Sequence, residues 1–476
     1  LMIIQSYIAG DFIAGKSTAH SFPLVSPITL QSTASIEEAD ADVVKRAVDA
    51  AEIAFREYAR SAVAIRVKWL NQAATRLEAE SAPLIEAIIQ DIGKPRRAAT
   101  FEVGRAVQFV RACAIQLQTM TGETLPLDAT DAGAGHFGFT RRVPYGVVAA
   151  ITPFNAPANL LIQKVAPALA AGNALVVKPH PAGTRTALLM AEVFIASGLP
   201  AGLFNVVVGD RDPASVLSAD PRVRAVTFTG GTAAGEAIAR VAGAKKYIAE
   251  LGSNAANVVM ADADIADAAK RIALAGFDAS GQQCVSAQRV IVHEDVYDDF
   301  LALFVQAAAA LKVGPPDLPD TDVGTMISLA AAERVMQMAH SAVAAGAHFA
   351  LAPRIQGSTV SPGILVDAGL RSGIWTDEVF GPLVVVQRFA TTDEALRLAN
   401  DSPFGLQGAV FTRDIGAAFR FADEFEVGAM WINEASRFRL DTYPFGGVKM
   451  SGFGREGVKY AIEEMSQIKF IGLRPF

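Results

Sequence analysis

The chain contains two cysteines, Cys113 and Cys284. Cys284 closes the run Ser280-Gly281-Gln282-Gln283-Cys284 between helical segments, with no Cys–His metal spacing around it. A catalytic nucleophile and a buried packing residue are its two readings, whereas Cys113, flanked by alanines in an amphipathic stretch, reads as core. Glu250 ends the apolar run Tyr247-Ile248-Ala249. If buried there, its carboxyl is raised toward the range of a general base, and otherwise it is a solvated strand end. Asn155, in Thr152-Pro153-Phe154-Asn155-Ala156-Pro157, has an amide that can donate to an oxyanion or simply suit a turn. The run Thr229-Gly230-Gly231-Thr232-Ala233-Ala234-Gly235 follows a strand and opens a helix. Bare glycines and free N–H groups there suit a pyrophosphate, although the spacing departs from G-x-G-x-x-G. Lys178 ends another strand before Pro179-His180-Pro181, where it reads either as a ligand contact at the sheet edge or as a solvated lysine. The six histidines show no H-E-x-x-H or paired spacing, so no metal site is expected.

These residues need a scaffold. From 146 to 251, short apolar runs at Gly146–Ile151, Ala174–Lys178, Phe204–Val208, Arg224–Thr229 and Lys246–Leu251 alternate with helical segments near 158–171, 183–197, 212–219 and 232–242. Such alternation predicts an α/β fold with a parallel sheet and right-handed crossovers. Upstream, residues 40–120 repeat apolar positions at three and four, as amphipathic covering helices do. Residues 122–142 mix Gly, Asp and Thr and end in an alternating stretch, which suits a loop leading into an extended arm. A second α/β half is expected from about 252 to 440, with strands near Arg289–His293, Val384–Phe389 and Ala409–Phe411.

At 476 residues, 51% hydrophobic and 19% charged, the chain is globular and multidomain. Its net charge of −7, without a run of like charges, gives no footprint for nucleic acid. Val143–Gln163 carries no charge at membrane-spanning length after Arg142, but Pro144, Pro153 and Pro157 interrupt it, so no membrane span is expected. The scarcity of cysteine and the lack of a basic leader before Lys16 predict a cytoplasmic protein with reduced thiols.

In combination, the motifs resemble those of the NAD(P)-dependent aldehyde dehydrogenase superfamily across nearly the whole chain. They are Thr152-Pro153-Phe154-Asn155, Lys178-Pro179, Phe228-Thr229-Gly230-Gly231 with Gly235, Glu250-Leu251-Gly252, Gly281-Gln282-Gln283-Cys284, Glu378-Val379-Phe380-Gly381-Pro382 and Pro444-Phe445-Gly446-Gly447-Val448-Lys449 with Ser451-Gly452. The resemblance implies a Rossmann-like cofactor domain at 1–120 and 144–251 and a catalytic domain at 252–443. It also implies an oligomerisation arm at 121–143 and 464–476, and hence a homodimer or homotetramer. Carried over, Cys284 attacks an aldehyde to give a thiohemiacetal, whose oxyanion Asn155 and the Cys284 backbone N–H hold. Hydride passes to the nicotinamide, and Glu250 activates the water that hydrolyses the resulting thioester. Thr152, Phe154, Gly209, Gly230, Gly231, Gly235 and Leu251 are then expected around the cofactor, with Glu378 and Phe380 at its nicotinamide ribose and Lys178 at its adenosine ribose.

Two departures bear on specificity. NAD-preferring relatives place a glutamate three residues after the lysine, where this chain has Pro181, so NADP is expected to be accepted, with Lys178 and His180 or Arg211 facing its phosphate. Phosphate-handling relatives place an arginine directly before the nucleophile, where this chain has Gln283. Arg105, Ala156, Asn159, Gln163, Gln283, Val285 and Phe438 are the expected substrate pocket, small and polar. The late stretch Arg439-Leu440-Asp441-Thr442-Tyr443-Pro444 resembles the branch of lactaldehyde, nonphosphorylating glyceraldehyde-3-phosphate and phosphonoacetaldehyde dehydrogenases. The expected substrate is a small polar aldehyde. Coenzyme A-acylating semialdehyde dehydrogenases usually lack the Glu250 base, a cofactor-binding homologue without turnover would have no need of Asn155, Glu250 and Cys284, and a thiol esterase leaves the cofactor motifs unexplained.

Overall fold

The computed structural model describes residues 2–15 and 21–474. Its first sheet has eight strands, in the order Gly452–Phe453, Lys246–Glu250, Val223–Thr229, Val147–Thr152, Ala174–Pro179, Phe204–Val206, Ser6–Ile8 and Asp11–Ile13. The five central strands are parallel. Val147–Thr152 and Ala174–Pro179 are buried throughout, as expected of strands covered on both faces. From Val147–Thr152 the chain winds one way through Ala174–Pro179 to Phe204–Val206, then returns to add Val223–Thr229 and Lys246–Glu250 on the other side. The order therefore reverses beside Thr152, and the crevice outside the carboxyl ends opens there. Register aligns those ends, with Thr152 opposite Pro179 and Thr229 opposite Glu250.

The sequence reading matches these strands and the helices Asn159–Ala171, Thr184–Ala196, Asp212–Ala219 and Thr232–Ala242 to within a few residues. Covering helices run Ala41–Tyr58, Val63–Ala79, Ser81–Ile92 and Arg96–Leu117. Every residue of Asn159–Ala171 is buried, including the polar Asn159, Gln163 and Lys164. Polar side chains inside such a helix must find partners or a ligand.

A second sheet of seven strands runs His348–Leu351, Gly363–Val366, Leu383–Phe389, Arg289–His293, Ala256–Val259, Gln407–Phe411 and Ala429–Ile432. All of its pairings are parallel except that of the edge strand His348–Leu351. Separately, Phe137–Pro144 pairs antiparallel with Ser466–Leu473 and with Thr124–Leu125. The arm reading needs one adjustment: Glu464 ends the helix Val458–Glu464, whose Val458 and Ile462 join the core of the first sheet. Cys113 lies in that same core. No helix among the described residues is long and apolar enough to cross a membrane.

Candidate active site

A cleft of about 780 Å³ opens at the carboxyl edge of the first sheet. Thr152, Phe154, Lys178, Pro181, Gly230, Gly231, Leu251, Glu378 and Phe380 line it, together with Asn155 and Cys284. Two expected residues stand behind this wall. Gly235 packs against Leu251, and Gly209 against Pro213 and Glu38.

The nucleophile loop is held in an unusual backbone shape. Ala279, Ser280 and Gly281 all have positive φ, at 49°, 60° and 67°. Two of the three are not glycine, which is costly unless the surroundings hold them. Here the Ser280 hydroxyl donates to the carbonyls of Gly324 and Thr325, while the Gln282 amide donates to Thr325 and accepts from the Ile327 N–H. Gly281 has no alternative, since a Cβ there would lie 2.2 Å from the Gly381 carbonyl oxygen.

The loop brings Cys284 Sγ to 2.9 Å from Glu250 Oε1, donating to it. Burial, then the charge of Glu250, pushes the thiol well above its ordinary range. Burial, with the nearby charge of Glu456, raises Glu250 to about 7. Glu250 is thus poised near neutrality as a base directed at the thiol, and its Oε2 has no hydrogen-bond partner among the described residues. Asn155 Nδ2 donates to the Gln282 carbonyl at 3.0 Å, joining the two halves of the site.

Behind Glu250 lies a buried ionic cluster. Glu456 accepts from Lys164 at 3.2 Å and from Arg439 at 2.7 Å. Burial favours the neutral form of Glu456, but these two cations outweigh it and hold the carboxyl below its usual range. Arg439 also donates to Gln163 Oε1 and lies over the Phe445 ring. This cluster escaped the sequence reading, although one signal for it was available: Lys164 is the one charged residue in the helix Asn159–Ala171.

The expected pocket residues divide. Gln163 reaches Asp441 at 3.5 Å, and Val285 packs with Leu406 and Phe445 beside Cys284. Ala156 is half-buried, and its carbonyl accepts from the Leu160 N–H. Phe438 packs edge-on against Trp431 and is 41% exposed. Arg105 is taken up by a two-pronged pair with Asp441, at 3.1 and 2.5 Å, while Gln283 bridges Asp278 and Arg437. Asn159 Oδ1 is buried without a hydrogen-bond partner among the described residues.

The rest of the cleft fits a dinucleotide. A Cβ on Gly231 would meet nothing within 4 Å, leaving open space before the helix Thr232–Ala242. The buried Thr229 hydroxyl has no hydrogen-bond partner among the described residues. Phe154 and Phe380 meet edge to face at 5.9 Å, and Glu378 accepts from the Ser253 N–H at 3.0 Å. Burial raises Glu378 to about 7 and lowers Lys178 to about 8. Burial and then the charge of Lys178 push His180 down to about 4, so it is neutral at pH 7 and supplies no charge for a phosphate. Arg211 and Arg334 also line the cleft. Arg334, from the helix Leu329–Ala344, sits where a lone arginine leaves no trace in the sequence pattern.

Comparison with known proteins agrees with this geometry. Residues 12–471 match the Aldehyde dehydrogenase family. The chain is 38% identical to 3-sulfolactaldehyde dehydrogenase of Priestia megaterium, over 98% of this chain and 97% of that one. It is 33% identical to lactaldehyde dehydrogenase of Methanococcus maripaludis, over 97% and 99%. The crystal structure of NADP-dependent glyceraldehyde-3-phosphate dehydrogenase from Bacillus halodurans complexed with NADP superposes with a TM-score of 0.96, at 31% identity and full coverage of both chains. The chain belongs to the aldehyde dehydrogenase family. It is an NAD(P)-dependent oxidoreductase that oxidises an aldehyde.

Proposed function

We propose that the substrate is a small, uncharged hydroxyaldehyde and that the product is the free acid. The observation that carries this reading is the charge balance around the nucleophile. Arg105, Arg437 and Arg439 are already paired, with Asp441, Asp278 and Glu456 respectively. An anionic substrate must compete with one of these carboxylates for its arginine, and breaking a buried ion pair costs on the order of 3–5 kcal/mol. A neutral hydroxyl faces no such competition. Asn159 and Gln163 stand one helical turn apart on the same helix face beside the site, and the buried Asn159 Oδ1 has no partner among the described residues. Of the two relatives compared, one is named for lactaldehyde and the other for its sulfonated counterpart, and the internal pairing here favours the former chemistry.

In this reading Glu250 takes the thiol proton across the existing 2.9 Å contact, and Sγ attacks the aldehyde carbon. Asn155 Nδ2 and the Cys284 N–H hold the resulting oxyanion. Bound NAD(P)+ would accept the hydride lost from the substrate carbon, held by Lys178, the Gly230-Gly231 turn, Glu378 and Phe380. Once it has released the thiol proton to solvent, Glu250 draws a proton from the water that attacks the thioester carbon, and the C–S bond breaks with Cys284 leaving as the thiolate, which supports hydrolysis over transfer to coenzyme A. Pro181, with no carboxylate to repel a 2′-phosphate, and the cations Lys178 and Arg211 in the same cleft support use of NADP.

The division into a cofactor domain at 1–120 and 144–251, a catalytic domain at 252–443 and an arm at 121–143 and 464–476, its C-terminal strand beginning at Ser466 after the helix that Glu464 ends, is part of the proposal. The two separate sheets and the paired arm strands support it. Exposed Phe137, Ile468 and Phe470 on the arm support a homodimer or homotetramer, and the free thiols Cys113 and Cys284 support a cytoplasmic setting.

The test is kcat/KM across glycolaldehyde, lactaldehyde, succinic semialdehyde, sulfoacetaldehyde, hexanal and benzaldehyde, with each cofactor. The neutral hydroxyaldehydes are expected to lead by at least about tenfold. A leading anionic, long-chain or aromatic aldehyde overturns the substrate assignment.

A further inference from the structure

The helix that follows the Asn155 turn lacks a cap of its own. Asn159–Ala171 begins after Pro157 and Ala158, and no side chain at its N-cap accepts from the first N–H groups. The acceptor comes from another helix. Glu102, on Arg96–Leu117 and 4% exposed, receives the Ala158 N–H at 2.8 Å and the Asn159 N–H at 3.2 Å on Oε1. A carboxylate at this position also complements the helix dipole.

The other oxygen of Glu102 is held by Lys94, itself largely buried, in the turn Gly93-Lys94-Pro95. That turn reaches the nucleophile loop. The Gly93 carbonyl accepts from the Thr325 N–H at 3.3 Å, and the Thr325 carbonyl accepts from Ser280 Oγ and Gln282 Nε2. A Cβ on Gly93 would lie 1.6 Å from Thr325 Oγ1, so the approach is as close as backbone allows. Glu102 and Lys94 thus connect two segments distant in sequence: the turn that presents the Asn155 amide and the loop that presents the Cys284 N–H. The direct bond from Asn155 to the Gln282 carbonyl closes the circuit.

The geometry points to Glu102, with Lys94, as a positioning residue that sets the spacing of the two oxyanion donors and acts through Asn155. This rests on the oxyanion role proposed above for Asn155. Glu102 touches neither thiol nor substrate, and what it does is fix where the turn begins.

A double-mutant cycle on the full-length enzyme tests this without cofactor. The burst of p-nitrophenol from p-nitrophenyl acetate reports acylation of Cys284, a step that also passes through a tetrahedral oxyanion. Asn155→Ala alone is expected to slow the burst about 100-fold, and Glu102→Gln alone about tenfold or more. In the Asn155→Ala background, Glu102→Gln is expected to change the rate by less than about twofold. A Glu102→Gln loss of equal size in both backgrounds overturns the positioning role and leaves a purely structural one. An unchanged burst in Asn155→Ala sinks the oxyanion reading itself, which keeps the two failures distinguishable. Should Glu102→Gln not fold, Lys94→Met is put through the same cycle, since it keeps both backbone contacts of Glu102. It is expected to show the same non-additivity with a smaller loss, and an additive or absent effect refutes the role.

Discussion

If burial raises Glu250 to about 7, the pH dependence of turnover is fixed by the fraction of this carboxyl that is ionised. That fraction is about 9% at pH 6 and about 91% at pH 8, a rise of about tenfold. An ordinary glutamate near 4.5 would already be about 97% ionised at pH 6 and give a flat profile. The group is the base, so activity is present above the shifted pKa and lost as pH falls through it. The assay is kcat at saturating aldehyde and cofactor from pH 5.5 to 8.5, beside the slow phase of ester hydrolysis after the burst, which reports deacylation alone. Both should climb with a midpoint near 7. Glu250→Gln should lower both by about 10² to 10⁴ and flatten them. Glu456→Gln removes a negative neighbour that raises Glu250 and leaves Lys164 and Arg439 to act on it, so the midpoint should move below that of the wild type. A wild-type profile flat between pH 6 and 8, or a Glu250→Gln enzyme with normal deacylation, refutes the reasoning.

Three other substitutions probe separate parts of the account. Pro181→Glu places a carboxylate in the cleft beside Lys178 and should cut kcat/KM for NADP by about tenfold or more while sparing NAD, by repulsion of the 2′-phosphate. Asp441→Asn frees Arg105 from its two-pronged pair and should lower KM for succinic semialdehyde by several-fold relative to lactaldehyde, a shift read from the ratio of the two kcat/KM values. Gly281→Ala drives a Cβ into the Gly381 carbonyl at a positive φ, at a cost of about 2–4 kcal/mol. Thermal melting should show a lowered Tm, and acylation should slow as the loop shifts.

The parallel core was legible because its strands are short β-branched runs punctuated by glycine and proline, and the local signal agrees with the fold. Ala256–Val259 was missed because Asn257 interrupts the run. The structure shows why it is tolerated: its Nδ2 donates to Ser436 at 2.9 Å and its Oδ1 accepts from the Ser436 N–H, so the buried amide is satisfied. The short strands before Glu37 carry mixed burial and too few residues for a clear period. At the site, the residues bearing chemistry could be singled out by type and motif. Their partners could not: Arg105 meets Asp441 across 336 positions and Asn155 meets Gln282 across 127. Such pairings are set by packing of distant elements, and they turn an apparently cationic pocket into a balanced one.

The central claim is that Cys284 carries the substrate covalently between hydride loss and hydrolysis. Rapid-quench mass spectrometry of the wild-type enzyme with lactaldehyde and NADP+ tests it most directly. The peptide containing Cys284 is expected to gain the mass of a lactoyl thioester within the first turnover, with about one equivalent of reduced cofactor formed at 340 nm, and Cys284→Ala is expected to show neither. Cofactor reduction in Cys284→Ala, or sustained turnover with that peptide never modified, would contradict it.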